Sequence, residues 1–201
     1  MIAPKPIRED HPLMRGLINQ WVYGGFLSGL LLLAILPVMA WSWDPAMALI
    51  FLQLPLYMIH QFEEHHGDRF RAYVNRLFGG EVLSKKAVFV INVPGVWGVI
   101  TLAFVAARCL GPGWGLLAIY LPIINALVHV GQAIRLRQAH PGLITAIILF
   151  LPVTIFALLR ISSTGQTTPF QHLTALLAAV GIHVGIVVFM VCRKRSKGFS
   201  K

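Results

Sequence analysis

Residues 60–67 read HQFEEHHG, three imidazoles and two carboxylates within seven positions. Both side-chain types bind zinc and non-haem iron, and both exchange protons near neutral pH. On a helix, His60 and Glu64 stand four apart and His60 and Glu63 three apart, so all three share a face. Asn125, His129 and Gln132 follow at i, i+4 and i+7, again one face, and His183 is a further imidazole inside a long apolar run. His60, Glu64, His129 and His183 therefore form a candidate ligand set for zinc or iron. Glu63, Glu64 and Asn125 are the candidate catalytic residues: one glutamate is left as general base, and the Asn125 and Gln132 amides either orient the ligands or hold a substrate oxygen. Without a metal, a His–Glu pair can shuttle a proton on a lipidic substrate, as an isomerase requires, because a low dielectric makes a glutamate a stronger base.

The other histidines read differently. His65 and His66 fall past the end of an apolar run and read as headgroup-level side chains that pair with Arg69, Arg71 or Arg76. His140-Pro141 reads as an interfacial helix start, with Pro in the first turn. His172 lies near the far end of its segment, away from the rest.

The elements that must position these groups are set by composition. The chain has 201 residues, 57% hydrophobic and only 12% charged, with a mean hydropathy of +0.73. That is membrane-protein composition. Six stretches are long enough to cross a hydrocarbon core, which takes roughly 20 helical residues. They are 21–41, 46–62, 87–107, 114–134, 141–160 and 170–192. The expected fold is all-α, a six-transmembrane-helix bundle forming a single membrane domain over 1–201. The second span is short and carries Pro55, so it either borrows residues from the HQFEE stretch or sits kinked among its neighbours.

Fifteen of the seventeen Lys and Arg fall before span one, after spans two, four and six, and only two fall in the alternate loops. The positive-inside rule then predicts both termini in the cytoplasm and an inner-membrane, multi-pass location. The net charge of +10 is accounted for by anionic headgroups beside the spans, which argues against a nucleic-acid partner. In that topology the HQFEE end of span two, Asn92, the Asn125–Gln132 face, His140 and His183 all fall in the cytoplasmic half, from at least four helices. Buried polar groups in spans face the bundle interior or a wet cavity, because facing lipid costs several kcal/mol.

Residues 68–78 are predicted to form an interfacial helix. Asp68 is its candidate cap, Phe70, Tyr73, Val74, Leu77 and Phe78 form its apolar stripe, and Gly79-Gly80 stop it. His11-Pro12 and Trp21 suggest another approach along the interface. Pro37, Pro55, Pro94, Pro122 and Pro152 each free a carbonyl one turn earlier; Pro55, Pro94 and Pro122 lie near polar residues and could shape a cavity. Gly24, Gly25 and Gly29 suit close helix packing, within the chain or against a partner. Val38-Met39-Ala40 has the look of a signal-peptide cleavage site, but the apolar run is long for one and the segment is expected to be retained. Cys109 and Cys192 fall at opposite ends of the spans and are not expected to pair.

His60-Gln61-Phe62-Glu63-Glu64 resembles the signature of the HXXEE family, integral membrane proteins named for that motif. "NALVHVGQAIRLRQAHPGLITAIILFLP", residues 125–152, resembles the family's second block, Asn-x-x-x-His followed by a Pro-Gly helix start. The resemblance covers about residues 45–190 and marks His60, Glu63, Glu64, Asn125, His129, Pro141 and Gly142. The family is functionally undefined, so the match supports a site without naming a reaction. The reading is a metal-dependent intramembrane enzyme with an apolar or lipid-like substrate and membrane lipid as partner. A proton or metal-ion carrier or sensor is the reading from another class, and a lipid- or partner-binding bundle is a third. A carrier needs ligand-type residues at several depths, whereas the external half offers mainly His172.

Overall fold

The computed structural model describes residues 12–196 and 198; Lys5, Arg8, His11, Lys197 and Lys201, which entered the reading of topology and of the first approach to the membrane, lie outside the described residues. The described residues are 88% helical, and there is no strand among them. Seven helices are numbered here: α1 Pro12–Met39, α2 Pro45–His65, α3 Arg69–Phe78, α4 Lys85–Leu110, α5 Leu116–Leu136, α6 Leu143–Ser162 and α7 Pro169–Ser196. Helices α2 and α3 share one apolar segment, Pro45–Phe78, and each other helix belongs to its own; all six segments are long and apolar enough to cross a membrane, and the protein is a multi-pass membrane protein.

Local chemistry sets the boundaries. Asp44 accepts from the Ala46 N–H at 2.7 Å and Pro45 occupies the first turn, so α2 starts at an acidic cap. From there α2 runs unbroken through Pro55 and the HQFEE stretch to His65. Its 21 residues reach about 31 Å, enough to cross the hydrocarbon core. Of the two options for the short second span, it therefore takes both: it uses the motif as its final turns and it is shielded. Helix α2 is the central element, with 61% of its apolar window buried against 11% for α7.

Gly67 and Asp68 both adopt positive φ, which separates α2 from α3. Asp68 is not the cap expected from the sequence. Its left-handed backbone turns the carboxylate away from the helix N–H groups, and it binds Arg71 instead, with Nη2 2.6 Å from Oδ2. Gly79, at φ 73°, ends α3 as predicted. The apolar stripe of α3 packs inward: Tyr73 and Val74 are buried with Trp21, Val22, Val82, Leu83 and Val88. A larger core joins α2 with α4, α5 and α6 through Ile50, Ile100, Ile119, Leu121, Phe150 and Ile161.

Helix α1 lies along α2, and α7 lies along α5 at the periphery. Gly29 permits the first contact: a Cβ there would stand 3.1 Å from both Met58 Cβ and the Pro55 carbonyl oxygen. Gly25 faces the Trp97 ring, so both glycines pack within the chain, while Gly24 meets nothing. Two π-helical stretches interrupt the α geometry, Ile91–Trp97 around Pro94 in α4 and Ala146–Phe150 just before Pro152 in α6. Both cysteines are free and exposed.

Candidate metal centre

The last turns of α2 bring His60 and Glu64 onto one face, as their spacing requires, and α5 brings His129 against them. One nitrogen of each imidazole and one Glu64 oxygen all lie within 4.8 Å of one another, and all three residues are buried. His60 Nε2 stands 3.6 Å from Glu64 Oε2, and His129 Nε2 3.4 Å from Glu64 Oε1. Ligand bonds of about 2.0–2.2 Å in a tetrahedral shell put ligand atoms about 3.3–3.6 Å apart, so this spacing suits zinc or iron.

The hydrogen bonds fix the His60 ring. Thr145 Oγ1 donates its single proton to Glu63 Oε2 at 2.6 Å. Its 2.7 Å contact with His60 Nδ1 must then be a bond donated by the ring. The proton is on Nδ1, and Nε2 presents a bare lone pair. That nitrogen is buried without a hydrogen-bond partner and faces a carboxylate oxygen. Two electron-rich atoms in a dry site repel unless a cation or a proton lies between them. The donor set and the orphaned nitrogen both fit a divalent metal.

Glu63 does not take the general-base position expected of it. Its carboxylate accepts from Thr145 N at 2.8 Å, Thr145 Oγ1, Gly142 N at 3.2 Å and Ile144 N at 3.4 Å. It thereby holds the start of α6, where unpaired N–H groups favour an anion. The side chain is turned away from the reacting space and positions Thr145, which in turn positions His60.

His65 and His140 depart from their expected places, while His66 is exposed as predicted. His65 is 6% exposed, packed between Trp21 and Phe70, with Nε2 3.1 Å from Glu64 Oε2. Hydropathy places it past the span, but α1 and α3 cover it. His140 is not an open interfacial residue either. Its ring stacks on His129 at 5.1 Å, with Tyr73 at 5.4 Å, and its Nε2 donates to the His129 carbonyl oxygen at 3.0 Å. Gly142 completes this support at φ 90°: a Cβ there would lie 2.5 Å from His129 Cε1.

His183, counted in the ligand set from sequence, lies outside the three-residue group. Its Nδ1 donates to the Ala179 carbonyl oxygen at 2.8 Å, one turn back on its own helix. It does line a cavity of about 150 Å³ with Glu64, His65, His129, Asn125 and Gln132. Asn125 Oδ1 is buried there without a partner. Asn92 also lines the cavity, but its amide is engaged: Oδ1 accepts from Gln61 and Nδ2 donates to the Val88 carbonyl oxygen. Gln61 in turn accepts from Trp97 Nε1 at 2.5 Å, which accounts for a buried glutamine inside the motif. His172 is remote from this centre and bonds Tyr120 and Thr167.

Thr145 gave no sequence signal as a site residue. Its only mark is that of a hydroxyl in the first turn after Pro141-Gly142, inside an otherwise apolar stretch.

The family model described as "protein of unknown function with HXXEE motif" matches residues 51–157, more than half of the chain. The chain belongs to that family. No curated protein and no solved structure matches it.

Proposed function

We propose that this HXXEE-family member is an intramembrane metal-dependent enzyme, acting on an apolar or lipid-like substrate, with His60, Glu64 and His129 as the metal's ligands. The observation that carries the reading is the bare His60 Nε2 lone pair, buried and aimed at Glu64 Oε2. A zinc or iron ion bound there supplies a Lewis acid and a water that ionises near neutral pH. The chain's residues do the rest. Thr145 and Glu63 lock the His60 tautomer, and His140 holds the His129 ring. Asn125 Oδ1, with a free lone pair on the cavity wall, accepts from a substrate hydroxyl and orients it. His65 Nε2, 3.1 Å from Glu64 Oε2, is placed to pass a proton to or from that oxygen. The mostly apolar cavity admits a lipidic group and excludes bulk water. With the basic loops inside, the site lies in the cytoplasmic half of an inner-membrane protein and both termini are cytoplasmic.

The metal-free alternative, a His–Glu acid–base isomerase, draws on the same His65–Glu64 contact. In that case a proton takes the position between His60 and Glu64. Elemental analysis of protein purified without a histidine tag separates the two. We expect near-stoichiometric zinc or iron, lost in the His60→Ala/His129→Ala variant. Metal absent from the parent, or equal in both proteins, overturns the metal reading.

A further inference from the structure

The cavity at the centre does not end there. The apolar face of α3 runs from Phe70, whose ring lies 5.2 Å from His65 and 6.4 Å from His129, to Phe78. That is eight residues, about 12 Å of helix. Opposite it, Ile186, Val187 and Met190 of α7 line the same space. Helix α7 packs along α5, with no comparable contact to α3 or α4, so the trough lies between α7 and those two helices.

The far end of the trough is cationic. Lys194 Nζ stands 5.9 Å from the Phe78 ring centroid, and the Arg193 guanidinium lies over Phe189. Both are three or four residues past Met190, hence on its face of α7. Arg193 Nε is shielded from solvent without a hydrogen-bond partner. Among the described residues, no carboxylate forms an ion pair with either side chain. A trough with uncompensated cations at one end and a His/Glu centre at the other matches one ligand shape.

We infer that the trough takes a single-chain anionic amphiphile, its carboxylate or phosphate head on Arg193 and Lys194 and its chain along the α3–α7 groove. This deepens the enzymatic reading and rests on it for the chemistry, though not for the binding. A space of about 150 Å³ holds one hydrocarbon segment, since a cavity of that size takes up a benzene-sized body. It leaves no room for two chains side by side. The group presented to Glu64 and His129 is then part of the chain, about 12 Å from the head, and the reaction is at a chain position.

The test uses the full chain in phosphatidylcholine nanodiscs and radiolabelled palmitate as probe. Saturable binding is expected, displaced by unlabelled palmitate or lysophosphatidate and about tenfold less well by hexadecanol or lysophosphatidylcholine, which carry no net charge. Stronger displacement by palmitate than by lysophosphatidate identifies a carboxylate head; the reverse identifies a phosphate. Arg193→Gln/Lys194→Gln is expected to abolish the preference for anions, and Arg193→Lys/Lys194→Arg to keep it. Val187→Trp is expected to block every probe by filling the groove. Binding is expected to persist in the parent protein stripped of metal with a chelator, so loss of the metal reading and loss of this one are separable. Non-saturable uptake, equal competition by hexadecanol, or unchanged preference in the Gln/Gln variant overturns the proposal.

Discussion

Glu63 and Thr145, on different helices, are joined twice: the carboxylate accepts both the backbone N–H and the hydroxyl of the threonine, at 2.8 and 2.6 Å. The second glutamate of the motif faces the imidazoles, while the first clamps the helix that orients one of them. Two adjacent acids in one sequence motif thus do separate jobs.

That division predicts different phenotypes. Thr145→Val should lower zinc affinity about 10- to 100-fold by releasing His60 Nδ1, and Thr145→Ser should restore it. Glu63→Ala should add a stability loss of about 1–3 kcal/mol, because the N–H groups of Gly142, Ile144 and Thr145 lose their acceptor. Metal titration and thermal unfolding in the same detergent separate the two effects. Equal unfolding temperatures for Glu63→Ala and the parent would remove the clamp.

Gly142 and Gly67 both have positive φ, but only Gly142 abuts a side chain, the His129 ring. Alanine at Gly67 should cost about 1–2 kcal/mol from backbone strain alone. At Gly142 the same strain is joined by displacement of His129, so metal content should fall as well. Metal analysis of the two variants checks this; retention of metal in Gly142→Ala would count against contact through His129.

His65 and His66 are neighbours in sequence and opposites in environment. His66→Ala should change stability by no more than about 0.5 kcal/mol, as is usual for an exposed position. His65→Ala should destabilise the fold measurably and slow any proton-dependent turnover, since it empties the space between Trp21 and Phe70 and strips Glu64 of a partner. Chemical denaturation in mixed micelles gives the comparison.

Metal loading should be pH-dependent with a definite sign. Imidazole and carboxylate ligands bind only when deprotonated, so protons compete with the metal and affinity falls as pH falls. Apparent zinc affinity measured from pH 8 down to pH 5 should therefore drop steadily in the parent, with less slope in His129→Ala, which has one competing imidazole fewer. An affinity independent of pH would exclude histidine ligation.

Much of this site could be read in the chain itself. The spacings His60–Glu64 and Asn125–His129 each fix one helix face, and burial of polar groups in an apolar bundle forces such faces inward. What escaped was whatever depends on packing between elements. Hydropathy ends the second span before His65, yet Trp21 and Phe70 come from other helices to enclose it. His140 precedes its span by the same measure, and stacking on His129 takes it inside. Glu63 shares a face with His60 by spacing alone, but the unpaired N–H groups at the start of α6 outcompete the cavity for its oxygens. Asp68 has the residue type of a helix cap, and only its positive φ shows that it is not one.

The π turn at Ala146–Phe150 sets the phase of everything that follows it in α6. One surplus residue in a helix turns the downstream half by about 100° relative to the upstream half. Thr145 lies just upstream of that step, and Phe150, which closes to 4.3 Å from the His60 ring, ends it. Deleting an exposed apolar residue such as Ile148 would leave composition and hydropathy almost untouched. It would also swing Phe150 out from beneath the imidazole while Thr145 stayed in place. Indel tolerance in this segment is thus governed by rotation, and a single-codon gap there is more disruptive than most substitutions.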